Sequence, residues 1–223
     1  MHRTELAKLI DHTLLGPTAS RKDVVQCCQE AKTHGFASVA LNPCHARVAR
    51  ELLRESGVKV CVVVGFPHGM ATSDVKAFEA EKAIADGADE LDMVINVAAL
   101  KEKDYAALLA DIRAVCGAAA KAPRPVLVKV ILETCLLTDE EKVAGAILAQ
   151  AGGAQFVKTS TGFAASGATV EDVALLRRTV GQSIGVKASG GIRDYAAAVA
   201  MVEAGASRIG SSRSVAILDG APT

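Results

Sequence analysis

The chain has 223 residues, half of them hydrophobic, and 25 Lys plus Arg balance 25 Asp plus Glu. Zero formal charge lacks the basic excess of a nucleic-acid binder, and two Tyr, five Phe and no Trp offer few platforms for base stacking. The longest strongly apolar runs, such as Val60 to Phe66, fall far short of the ~18 residues a membrane span needs, and the composition excludes a disordered, coiled-coil or collagen-like chain. No apolar h-region or small-residue cleavage site follows the N-terminal Met-His-Arg-Thr-Glu-Leu, so a compact cytoplasmic protein is expected.

Along the chain, short β-rich runs alternate with longer Ala-rich stretches of helical period. Strands are expected at 9–14, 36–41, 59–64, 90–95, 126–132, 156–159, 185–188 and 208–210. Helices are expected at 21–34, 44–56, 72–86, 103–120, 138–151, 169–181 and 193–204, with a short one after 212. Thr72, Thr138 with Glu141, and Thr169 with Asp172 read as N-caps. Glycines 35, 57, 87, 152 and 205 precede the next strand, where helices stop. Linkers are short and nothing splits the chain. Eight βα units imply parallel strands, and the absence of G-x-G-x-x-G after the first strand argues against a dinucleotide fold. The expectation is an α/β protein, a (β/α)8 TIM barrel in a single domain over residues 1–223. Val128-Lys129, Val157-Lys158 and Val186-Lys187 recur every 29 residues, which places the three lysines at equivalent points of strands five, six and seven.

Strands of a parallel barrel are buried on both faces, so charges within them are informative. Alternation turns Leu91, Met93 and Ile95 toward the helices and Asp92, Val94 and Asn96 inward. It likewise turns Asp11, Thr13, Lys129, Ile131, Glu133, Lys158 and Lys187 inward. An unpaired inward charge costs several kcal/mol, so three lysines and three acids must share one interior. Lys129 and Glu133 read equally well as a structural ion-pair network, in which Lys129 pairs with Asp92 or Glu133, or as functional groups. Two ammonium groups ~5 Å apart repel by roughly 3 kcal/mol at an effective dielectric of 20. Lowering a lysine from ~10.4 to ~7 requires about 4.6 kcal/mol, which repulsion plus desolvation supplies. The product is a neutral amine, the nucleophile that carbonyl attack and Schiff-base formation need.

Two glycine-rich segments stand where barrels bind phosphate, in the loops after strands seven and eight. They are Ser189-Gly190-Gly191-Ile192-Arg193 and Gly210-Ser211-Ser212, with Thr161-Gly162 after strand six as a third source of backbone donors. No metal or cofactor is expected: the five histidines are scattered without H-x-H or H-x-x-x-H spacing, and G-x-S-x-G is absent. The cysteines, at 27, 28, 44, 61, 116 and 135, form no C-x-x-C pair. They read as free thiols and small core hydrophobes, with Cys44, near a helix N-terminus, the one candidate for reactivity.

The segments Val157-Lys-Thr-Ser-Thr-Gly162, Val186-Lys-Ala-Ser-Gly-Gly191, Glu90-Leu-Asp-Met-Val-Ile-Asn96, Val128-Lys-Val-Ile-Leu-Glu133, Ile10-Asp-His-Thr-Leu14 and Gly65-Phe-Pro67, in that set of positions, resemble the deoxyribose-phosphate aldolase family from about residue 6 to 218. The resemblance implies a metal-independent class I aldolase that interconverts 2-deoxy-D-ribose 5-phosphate with D-glyceraldehyde 3-phosphate and acetaldehyde in deoxynucleoside breakdown. It implies Lys158 as the Schiff-base lysine, Lys187 as the second lysine that depresses the first, and Asp92 as the acid that works with a water in proton transfer. Gly162, Gly190, Gly191, Gly210, Ser211 and Ser212 fall at its phosphate site, and Asp11, Lys129 and Glu133 are carried as supporting residues.

Two departures stand out. Many relatives have Cys where this chain has Ala40, and many end in a Tyr tail implicated in proton transfer. Here the end reads Leu218-Asp-Gly-Ala-Pro-Thr223, with Tyr105 and Tyr195 the two tyrosines; either a tail is missing or the proton step runs through water or Asp92. The competing readings are another Schiff-base aldolase or transaldolase with a different donor, a non-catalytic sugar-phosphate-binding barrel, and a purely structural ion-pair core. The partners expected are a sugar phosphate and acetaldehyde, with a homodimer or homotetramer left open.

Overall fold

The computed structural model describes residues 1–222. Its parallel strands β1 (Ile10–Leu14), β2 (Ser38–Leu41), β3 (Lys59–Val64), β4 (Glu90–Val94), β5 (Leu127–Ile131), β6 (Phe156–Lys158), β7 (Gly185–Ser189) and β8 (Arg208–Ser211) close in chain order into a barrel. The last strand pairs back onto the first through Asp11↔Gly210. Around it run α1 (Arg3–Ala7), α2 (Arg21–His34), α3 (Ala46–Leu52), α4 (Ser73–Ala85), α5 (Val97–Lys101), α6 (Tyr105–Ala120), α7 (Asp139–Ala151), α8 (Val170–Val180), α9 (Tyr195–Glu203) and α10 (Ser214–Asp219). All eight expected strands and the eight expected helices are present, with ends moved by a few residues.

The main apolar core lies between barrel and helices. Leu91, Met93 and Ile95 face outward, as alternation requires, and are buried in one cluster with Leu108, Ile112 and Val115 of α6. Because α/β pairing is local in sequence, each strand is followed by the helix that covers it, and no edge remains exposed. Caps fix where the helices begin. Thr138 accepts from the Glu141 amide at 3.3 Å while Glu141 accepts from the Thr138 amide at 2.8 Å, and Thr169 accepts from the Asp172 amide at 3.1 Å. Thr72 stands at the start of α4 as expected, but its hydroxyl makes no capping bond.

Two short helices, α1 and α5, are additional. Five residues are too few to show a helical period, and α5 follows β4 with only Ile95 and Asn96 between. Asn96 is therefore not an inward strand residue. The strand ends at Val94, and the Asn96 side chain accepts from the Ala99 amide at 3.1 Å as the cap of α5. Glu133 also lies past its strand, with φ 59°, so alternation does not set its direction either.

Register carries the chemistry inward. Paired residues on neighbouring strands share a face, and Asp92↔Lys129, Ile131↔Lys158, Lys158↔Lys187 and Lys187↔Arg208 are paired. Lys158 and Lys187 thus stand side by side, with Lys129 one inward position earlier along β5. The absence of a side chain at Gly185 makes room for the Phe156 ring, which would lie 2.2 Å from a Cβ there.

A second buried charge pair clips the outer layer to the barrel. Lys76 of α4 donates to Asp111 of α6 at 2.6 Å and to the Val94 carbonyl at 2.9 Å, all buried. Removing one partner leaves the other charge uncompensated, so K76M is expected to destabilise by about 3–5 kcal/mol. The double variant K76M/D111L is expected to recover most of that loss. Urea denaturation of the two variants at neutral pH checks this.

Candidate active site

Seven ionisable side chains form one connected network inside the barrel. Asp92 is its centre. Its Oδ1 accepts from Lys129 at 2.7 Å and from the Cys61 thiol at 3.1 Å. Its Oδ2 accepts from Lys158 at 2.8 Å and Lys187 at 2.7 Å. Lys129 also pairs with Glu90 at 2.6 Å, approaches Asp11 at 3.6 Å and donates to Cys61 at 3.2 Å. Lys187 pairs with Asp11 as well. Below them Arg208 pairs with Asp11 at 2.6 Å and Glu90 at 3.0 Å, and Ser38 donates to Asp11 at 2.7 Å. Lys129 does not meet Glu133, which instead accepts from the amide and hydroxyl of Thr161. Of the two partners considered for Lys129, Asp92 is the one it has.

The charges do not cancel one for one. Three carboxylates, Asp11, Glu90 and Asp92, face four bases, Lys129, Lys158, Lys187 and Arg208. Burial penalises every charged form, and the outcome depends on how many acids each base touches. Against that penalty Asp92, Asp11 and Glu90 hold Lys129 well above the ordinary lysine value. Asp11 and Asp92 do the same, less strongly, for Lys187. Lys158 touches one carboxylate, already shared, and its pKa is lowered by burial and by the Lys187 charge, against the pull of Asp92. Asp92 itself stays ionised: despite burial, Lys129, Lys158 and Lys187 hold it well below the carboxylate range. Cys61, a core hydrophobe by the sequence argument, belongs to this cluster; burial and then Asp92 push its thiol up to about 12, so it remains a neutral donor.

Lys158, the last residue of β6, opens onto a cavity of about 580 Å3 at the C-terminal end of the barrel. All six residues singled out for phosphate, Gly162, Gly190, Gly191, Gly210, Ser211 and Ser212, line the same cavity. The loops pack backbone to backbone there. A Cβ on Gly190 would stand 2.9 Å from the Gly167 Cα, and one on Gly210 would stand 2.3 Å from the Ser189 hydroxyl. The Ser211 hydroxyl is already committed, donating to the Ile192 carbonyl at 2.7 Å and accepting from the Arg213 amide at 3.0 Å. Ser189 keeps a buried, unpartnered hydroxyl on the wall. Arg193 and Arg213 also line the mouth and, among the described residues, form no ion pair. Glu133 fixes the rim through Thr161, whose hydroxyl accepts from the Phe163 amide at 3.0 Å, and the Phe163 ring meets Phe66 edge-on at 5.3 Å.

Several members escaped the sequence argument. Glu90 and Arg208 sit at strand starts, where a charge reads as a solvated strand end. Arg193 and Arg213 look like ordinary surface arginines until the loops are placed. Gly167 lies outside any recognisable motif. Cys44 is exposed in the turn after β2 and does not line the cavity. Neither tyrosine does: Tyr195 donates to the Met1 carbonyl at 3.0 Å, and Tyr105 starts α6. Ala40 lies in the barrel wall between Thr13 and Cys61. The one group of metal-type ligands among the described residues, Asp11, Cys61 and Glu90, surrounds the Lys129 ammonium, which holds the place a cation would take. No helix among the described residues is long and apolar enough to cross a membrane.

Residues 6–218 match the family model described as DeoC/LacD family aldolase. The chain is 60% identical over 216 residues to a deoxyribose-phosphate aldolase of Streptococcus sanguinis, covering 97% of this chain and 96% of that one. It is 58% identical over 219 residues to one of Shouchella clausii, covering 98% and 96%. The structure of the tetrameric deoxyribose phosphate aldolase of Aeropyrum pernix superposes with a TM-score of 0.91 at 36% identity, covering 97% of this chain and 91% of that one.

The depressed carboxylates make a testable statement about acid stability. A folded pKa below the unfolded one contributes stability that is complete above the unfolded value, about 3.9, and is lost as the pH falls through the folded value. D92N is therefore expected to be less stable than the parent at pH 7 by about 3–5 kcal/mol, with the gap narrowing below about pH 4. Urea denaturation at pH 7 and pH 3 checks this; a gap that stays constant would mean that Asp92 is not ionised in the folded protein.

Proposed function

The chain belongs to the DeoC/LacD family of aldolases, and on that premise we propose that it reversibly cleaves 2-deoxy-D-ribose 5-phosphate to D-glyceraldehyde 3-phosphate and acetaldehyde through a Schiff base on Lys158. The observation that carries this reading is the position of Lys158: it is the base with the smallest share of carboxylate in the network, and it faces the cavity that the two glycine-rich loops enclose. Those loops offer backbone N–H groups to an anion, the arrangement that phosphate binding in a barrel uses.

The proposed steps are as follows. The neutral Lys158 amine attacks C1 of the open-chain aldehyde, and loss of water gives an iminium. Asp92, acting through a water, draws the proton from the C3 hydroxyl. The O–H electron pair becomes the new carbonyl, the C2–C3 bond breaks, and its electrons neutralise the iminium as an enamine. Glyceraldehyde phosphate leaves. Protonation of the enamine carbon and hydrolysis release acetaldehyde and restore the amine. Among the residues at the site, water and Asp92 can supply that proton. Lys187, held protonated on the same Asp92 oxygen, keeps Lys158 from retaining its proton. Phosphate held at the loops converts remote binding into orientation of the reacting bond.

The same proposal takes residues 1–223 as one aldolase domain that assembles as a dimer or tetramer. It places the reaction in the cytoplasm, where six free thiols stay reduced, in the breakdown of deoxyribonucleotides.

K158L is expected to lower kcat on 2-deoxyribose 5-phosphate by on the order of 10^4 or more, as loss of a nucleophile does. A folded variant retaining substantial turnover would remove Lys158 from that role. G190A is expected to raise KM for the phosphorylated sugar while leaving cleavage of unphosphorylated 2-deoxyribose nearly unchanged; parallel kinetics on the two sugars decide it.

A further inference from the structure

The interior ion network contains a base that the reaction does not use. Arg208, at the start of β8, lies at the far end of the network from the cavity and packs over the Phe156 ring at 5.4 Å. It is in contact with Asp11 at 2.6 Å and Glu90 at 3.0 Å, and it is not among the residues lining the cavity. An arginine cannot give up its proton in a protein, so Arg208 is a fixed positive charge. The groups facing the interior are Asp11 on β1, Ser38 on β2, Cys61 on β3, Glu90 and Asp92 on β4, Lys129 on β5, Lys158 on β6, Lys187 on β7 and Arg208 on β8. At the mouth Glu133 is bonded to Thr161, and Arg193 and Arg213 add positive charge.

Without Arg208 the three lysines would have three carboxylates: Glu90 for Lys129, Asp11 for Lys187 and Asp92 for Lys158. With it, Asp11 and Glu90 are divided between Arg208 and a lysine, and Asp92 serves all three lysines. We propose that Arg208 is a positioning residue that makes Lys158 the surplus base of the barrel interior and so keeps its amine free at neutral pH. This rests on Lys158 being the nucleophile. A structural plug alone would require only that Arg208 fill its space and satisfy Asp11 and Glu90. A positioning charge must do more: adding or removing one interior charge must move Lys158 in a direction set by the sign.

The experiment reads the acid–base midpoint of Lys158 by trace acetylation with acetic anhydride between about pH 5 and 10, followed by peptide mass spectrometry. Folding of each variant is checked by circular dichroism. R208M is expected to move the midpoint upward by about one pH unit, the scale of one charge at roughly 10 Å in an effective dielectric of 20. It is also expected to lower kcat/KM at pH 7 up to about tenfold, with recovery near pH 9. E90Q is expected to move the midpoint downward by a similar amount. The double variant R208M/E90Q, again one cation in surplus, is expected to return toward the parent value, and R208K to keep it. If R208M does not fold, E90Q and the double variant carry the test. A midpoint that stays put in a folded variant, or moves the same way in R208M and E90Q, overturns the proposal. Borohydride trapping of the parent with acetaldehyde is run beside it. Failure to label Lys158 would discard the nucleophile, while the midpoints would still judge the action of Arg208.

Discussion

One carboxylate bonded by three ammonium groups is the constraint on which the site depends. Asp92 accepts from Lys129, Lys158 and Lys187 in the buried interior, where an unshared charge would cost several kcal/mol. The acids are distributed unequally among the lysines. Lys129 and Lys187 each have a second carboxylate and remain charged; Lys158 has none and is the base whose proton is held least firmly. A chemically ordinary lysine thereby becomes a candidate nucleophile. Cys61 completes the coordination of Asp92 as a neutral donor, and so directs Oδ2 toward the two lysines nearest the mouth.

The barrel delivers this arrangement through register rather than through any single loop. Straight pairing of β6 with β7 sets Lys158 beside Lys187, and straight pairing of β4 with β5 sets Asp92 beside Lys129. The loops after β6, β7 and β8 then enclose the space above Lys158. Their glycines are needed for close approach: Gly167 and Gly190 pack backbone on backbone, and a Cβ at Gly167 would lie 2.1 Å from the Gly190 carbonyl oxygen. Paired strands thus hold the Lys158 amine, and tightly packed loops form the wall of the cavity above it.

Much of this was legible in the order of residues. The alternation of strand and helix implies the barrel. The 29-residue recurrence of Val-Lys identifies three inward lysines, of which Lys158 and Lys187 are level in register while Lys129, expected at an equivalent point, lies two residues earlier on its strand; the two glycine-rich loops stand where barrels bind phosphate. Asp92, within an apolar strand, could only point inward. The misses share a cause, which is that alternation holds only while the strand continues. Asn96 and Glu133 lie past the last paired residue, where a helix cap and a left-handed turn redirect the side chain. Glu90 and Arg208 lie at strand starts, and there the shear of a closed barrel decides whether a residue points into the interior or into solvent. Cys61 carries no charge to mark it, and its place beside Asp92 emerges only from the pairing of β3 with β4.

The central claim, that Lys158 is the amine that forms the covalent bond, is tested most directly by trapping. The protein is incubated with acetaldehyde, reduced with borohydride and mapped by peptide mass spectrometry, with K158L as the control for surface labelling. Selective addition of a two-carbon unit to Lys158, absent from the variant, is the result predicted here. Folded protein that is left unlabelled, or labelled equally at exposed lysines and at Lys158, would contradict it.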